Sequence, residues 1–133
     1  QDFIVFIYSG RNSLVNEIHM YLKKTDMGYQ KISFTQAVGA GIEDIVDINR
    51  DGHWEVILTN LYVRKNENFF VYNVYAFKDY RLVNSDKDFE NFPKFVLFTD
   101  AANDQDDAQI SKTDKAKFIE EKNAAIQYED IDF

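Results

Sequence analysis

The chain has 133 residues, 45% of them apolar and 16% aromatic, which is too much buriable side chain for an intrinsically disordered polypeptide and suits a single domain. Its 23 acidic and 15 basic residues leave a formal charge of −8, which argues against a non-specific phosphate-binding surface and so against nucleic acid as a partner. With no cysteine there can be no disulfide, thiolate nucleophile or Cys-ligated metal centre, and no apolar run approaches the roughly 18 residues of a membrane-spanning helix.

Residues Phe3 to Tyr8 form an aromatic and β-branched run that stops at Ser9-Gly10-Arg11-Asn12, a strand followed by a hairpin turn. From Leu14 to Lys23 apolar and polar residues alternate, which predicts a half-buried strand; Leu14, Ile18 and Leu22 are also four apart, so the same stretch fits a helix. Tyr29 to Thr35 alternates again and reads as an edge or surface strand. Gly39-Ala40-Gly41 then breaks the chain. Three β-prone runs follow, Ile42 to Ile48, Val56 to Val63 and Phe69 to Phe77, with a last short pairing segment at Arg81 to Val83.

The charge changes near Asn84. Residues 1–83 hold 10 acids and 9 bases, whereas residues 84–133 hold 13 acids and 6 bases. In this acidic part, Ser85 with Asp88 has capping-box form, and Phe89, Phe92 and Val96 lie behind it at helical spacing. Pro93 is placed to open a second helix over Lys94 to Thr99. Residues 100–109 read as an acidic loop. Ser111 with Asp114 opens a further, weakly amphipathic helix reaching about Tyr128.

The chemistry concentrates at Asp47-Ile48-Asn49-Arg50-Asp51-Gly52-His53-Trp54-Glu55. Side-chain oxygens fall at relative positions 1, 3, 5 and 9, glycine at 6 permits a sharp turn, and the carbonyl of His53 at position 7 can add another oxygen. Alternate residues of a tight loop converge on one centre. Asp47, Asn49, Asp51, His53 and Glu55 are therefore the candidate metal ligands, and Ca2+ the candidate ion, because three crowded carboxylates repel one another unless a hard cation sits among them. The pattern is not that of an EF-hand: position 12, where that motif needs a bidentate Glu, is Leu58, and strand-forming residues flank the loop on both sides.

Residues 42–63 thus resemble the calcium-binding hairpins of the FG-GAP and VCBS-type repeats found in integrin α-chain propellers and many bacterial extracellular proteins. The resemblance implies that Asp47, Asn49, Asp51 and Glu55 ligate calcium with the His53 carbonyl. It implies an extracellular or periplasmic setting. Propellers stack several blades, so one loop in 133 residues corresponds to a solitary module rather than a closed ring.

Other signals are weaker. His19 and Glu17 share a strand face and could form an acid–base or metal pair, but with no third group identifiable an ordinary solvated face explains them better. Asp100, Asn103, Asp104, Asp106 and Asp107 lack the glycine and spacing of a second cation site. Tyr62, Phe70, Tyr72, Tyr75, Phe77 and Tyr80 could stack on a sugar or peptide, but core packing accounts for most of them. No nucleophile elbow, P-loop, dinucleotide fingerprint or zincin motif is present.

The sequence thus predicts an α+β fold in a single domain over residues 1–133. An antiparallel sheet of about 5–7 strands over residues 1–83 carries the calcium hairpin, and C-terminal helices pack against it. The function expected is that of a calcium-binding, non-enzymatic binding or structural module whose partner is a protein or glycan. The alternative is an enzyme or enzyme inhibitor that uses an aromatic and carboxylate surface, with calcium purely structural.

Overall fold

The computed structural model describes residues 3–9, 15–25, 28–37, 45–64, 67–98 and 110–132. In chain order these form β1 (Phe3–Ser9), β2 (Val15–Thr25), β3 (Gly28–Ala37), β4 (Ile45–Val46), β5 (Glu55–Arg64), β6 (Glu67–Lys78), β7 (Arg81–Asn84), β8 (Lys94–Phe98), α1 (Lys112–Ala125) and β9 (Gln127–Asp132). The fold is mostly antiparallel sheet with one C-terminal helix among the described residues.

The strands divide between two sheets rather than the single one expected. The first has the order β1-β2-β3-β9; the second has β4-β5-β6-β7, with β8 also paired to β6. Alternation in β2 and β3 turns Ile18, Met20, Leu22, Ile32 and Phe34 to one face, and that face packs on Val56, Leu58, Tyr75 and Leu82 of the second sheet. The two sheets therefore share one core. A buried cross-sheet hydrogen bond reinforces it, the Thr59 N–H donating to Gln36 Oε1 at 3.0 Å. Residues 29–35 are not an edge: β3 lies between β2 and β9.

Strand β6 organises the second sheet. Its residues 68–72 pair with β8 and its residues 75–78 with β7, leaving a gap in the ladder at Asn73 and Val74. The buried Asp86 carboxylate fills that gap. It accepts from Val74 N at 2.7 Å, Asn73 Nδ2 at 2.7 Å and Asn84 Nδ2 at 3.0 Å. The β6–β7 turn places Asp79 and Tyr80 at φ 52° and 62°, the two left-handed residues that a tight right-twisting hairpin requires.

The acidic part departs most from expectation. Ser85 opens a single 3-10 turn, Asp86–Asp88, and its hydroxyl donates to the Val83 carbonyl instead of capping a helix. Lys94 to Phe98 is a strand, not a helix. The helical spacing of Phe89, Phe92 and Val96 competes there with a strand-forming run, and pairing with β6 buries Phe95 against Phe69 and Val71. The helix begged by Ser111 does form, with Ser111 Oγ accepting from Asp114 N at 3.1 Å. It stops at Ala125, because Ile126 turns into the extended conformation and enters the main core. Residues 127–132 then pair with β3, where the sequence suggested that the helix continues to Tyr128. A smaller cluster of Phe69, Val71, Phe95 and Ile110 receives Phe118 and Ile119 of α1. The proposed turn at 10–12, the break at 39–41 and the acidic loop at 100–109 lie outside the described residues.

Candidate metal centre

Strands β4 and β5 form a short ladder in which Ile45 faces Val56 and Val46 faces Glu55, so the intervening loop begins and ends on paired backbone. Within it, Arg50 at φ 59° and Gly52 at φ 90° reverse the chain. Apart from Gly52 itself and its two chain neighbours, no atom lies within 4 Å of where a Cβ on Gly52 would stand, so glycine is used there for its backbone conformation alone.

The loop folds its acceptors inward. Asp47 takes the N–H groups of Asp51 (Oδ1, 3.1 Å) and Gly52 (Oδ2, 2.8 Å), Asn49 Oδ1 accepts from Asp51 N at 3.3 Å, and Asp51 Oδ1 accepts from His53 N at 2.8 Å. Glu55, the first residue of β5, is only 4% exposed, and its Oε2 accepts from Ile48 N at 3.0 Å. Carboxylate oxygens of Asp47, Asp51 and Glu55 all come within 4.8 Å of one another. A carboxylate oxygen that accepts one N–H retains a lone pair, so these bonds orient the side chains without using up their capacity to ligate.

The three carboxylates that the sequence selects are thus brought together, and such an Asp/Asp/Glu group could hold a metal ion. Asn49 belongs to the same loop network through Asp51 N. His53 enters it by its N–H, and its imidazole is not among the clustered atoms. That N–H is the main cause of the Asp51 carboxyl lying below its ordinary range; desolvation opposes the shift, and the bond to Asn49 adds to it. The adjoining Trp54 is 56% exposed.

Elsewhere, His19 Nε2 and Glu17 Oε1 are 3.1 Å apart, as their shared strand face allows. Sequence reasoning missed their neighbours Gln127 and Glu129, because it placed the start of β9 in a helix. It also missed Asp86, whose one visible signal is a run of turn-forming polar residues after β7. The acidic residues 100–107, which lack the pattern of a second cation site, lie outside the described residues.

Fold and site together define the class: a two-sheet antiparallel β protein carrying an acidic hairpin loop able to hold a cation. No family model, curated protein or solved structure matches the chain. No helix among the described residues is long and apolar enough to cross a membrane.

Proposed function

We propose that the chain is a calcium-binding, non-enzymatic module of the solitary FG-GAP/VCBS type, acting outside the cell or in the periplasm. The observation that carries this reading is the convergence of Asp47, Asp51 and Glu55 within 4.8 Å on a loop whose own N–H groups hold those carboxylates in place. The donor atoms are all oxygen, which favours a hard cation over zinc or copper. A loop stitched by its own turns can supply main-chain carbonyls as well, Asn49 and the His53 carbonyl completing the set, and calcium tolerates such irregular, high coordination better than magnesium does.

An extracellular-type site has a dissociation constant on the order of 10⁻⁴ to 10⁻³ M. At 100 times that constant, calcium stabilises the fold by about 2.7 kcal/mol. The melting temperature is accordingly expected to rise in calcium and to fall back in EDTA, and Asp51→Ala should abolish the difference. Superimposable melting curves with and without calcium, together with a flat calorimetric titration, would reject the assignment.

A further inference from the structure

The first sheet has a second face. Opposite the core, a groove of about 450 Å³ is lined by Glu17 and His19 of β2, Lys31 and Ser33 of β3, and Gln127 and Glu129 of β9. Strand register builds it. His19, Ser33 and Gln127 form one row across three strands, with neighbours at the inter-strand spacing of about 4.8 Å, and Lys31 faces Glu129 in the next row, two residues or about 6.7 Å further along the strands. Two acid–base pairs line it: His19–Glu17, along β2, at 3.1 Å, and Lys31–Glu129, across the β3–β9 ladder, at 3.9 Å. The two bases are recessed, the Lys31 side chain being 21% exposed and that of His19 24%, whereas Glu17 and Glu129 are open at 51% and 65%. Tyr128 also lines the groove, with its hydroxyl committed to Leu82.

The lining limits what can enter. An apolar ligand would strand four ionisable groups without water. An anion would meet two carboxylates and one lysine in a molecule of net charge −8, and a cation would be set beside the ammonium of Lys31. The chemistry that suits the groove is a neutral group that donates to the free lone pairs of the Glu17 and Glu129 carboxylates and accepts from the Lys31 ammonium, which has three N–H groups. A hydroxyl does both at once. We propose that the groove binds a neutral saccharide, its hydroxyls donating to Glu17 and Glu129 and accepting from Lys31. Its volume is within the range of small-ligand sites. This surface is separate from the acidic loop and needs no metal.

The test is an NMR titration of the ¹⁵N-labelled chain in EDTA with maltotriose, cellotriose and chitotriose, using glucose 6-phosphate and spermidine as charged comparators. At least one neutral sugar should shift amides of residues 17–19, 31–33 and 127–129. Replacing both exposed acids (Glu17→Gln with Glu129→Gln) should leave the melting temperature unchanged and weaken binding about tenfold or more, the worth of a lost hydrogen bond to a charged group. The proposal is overturned if no neutral sugar shifts these amides, if the shifts map elsewhere, if they persist undiminished in the double variant, or if a charged comparator takes the groove instead. Because EDTA is present throughout, none of these outcomes bears on the calcium-dependent melting shift.

Discussion

Asp86 has a buried carboxylate with no basic partner among its hydrogen bonds; amide donors from Asn73, Val74 and Asn84 satisfy it instead. Its role is to stand in for a missing strand residue, since it occupies the part of β6 that neither β7 nor β8 reaches. Asp86→Ala would leave the Val74 N–H and the Asn73 amide buried without an acceptor, each costing roughly 1–3 kcal/mol. Urea denaturation should therefore show a loss of about 3 kcal/mol, and Asp86→Asn, which keeps one acceptor oxygen, should lose less. Gly52 presents the opposite case, an exposed residue whose identity is set by φ alone. Gly52→Ala meets no clash, so its cost is the left-handed penalty of about 1–2 kcal/mol, and Gly52→Asn should recover part of it. The same denaturation experiment, performed in EDTA, separates this backbone effect from any loss of metal.

At the scale of elements, β9 depends on a close approach. A Cβ on Gly28 would stand 2.8 Å from the Ile131 carbonyl, so Gly28→Ala has to push the first residue of β3 away from the end of β9. A destabilisation of about 1–3 kcal/mol is expected, with faster amide hydrogen exchange in residues 127–132 than in β2. This strand also shows why some of the fold was legible and some was not. The alternating runs of β2 and β3 are legible because their periodicity is the direct trace of one buried face, and β5 and β6 because of their β-branched and aromatic content. Gln127–Asp132 carries three acids in six residues and has little strand preference of its own; pairing with β3 makes it a strand. Residues 94–98 mislead for the same reason, since only the open edge of β6 decides between two local readings. Nor does alternation reveal which strands are partners, so two sheets read as one. The acidic loop was legible because its chemistry is local, with nine consecutive residues supplying both the turn and the carboxylates. The groove was half legible: Glu17 and His19 are two apart in one strand, while Lys31 and Glu129 meet only through long-range pairing.

For the whole molecule, Tyr75 joins the parts. Its ring is buried in the core between the sheets, and its hydroxyl donates to Asn123 Oδ1 of α1. Burial pushes its hydroxyl up to about 12 from the ordinary 10.0; the charge of Asp86 adds to the shift and a hydrogen bond with Asn84 opposes it. The folded state thus holds this proton more tightly than the unfolded chain does. The resulting stabilisation is complete below pH 10.0 and lost as the pH rises toward about 12. Stability measured by denaturant across that window should fall more steeply in the parent protein than in Tyr75→Phe. Parallel slopes would show that the phenol does not couple folding to alkaline pH.

The order of pairing has a consequence for biosynthesis. The second sheet is assembled from strands between Ile45 and Phe98, each available soon after the one before it leaves the ribosome. The first begins earlier, with β1 to β3, but is completed last: contacts such as Lys24 with Asp130 span 106 positions, and the far edge of β3 stays bare until β9 has been translated. A nascent chain therefore carries an unprotected strand for most of its elongation, the condition under which edge-to-edge aggregation and chaperone capture compete with folding.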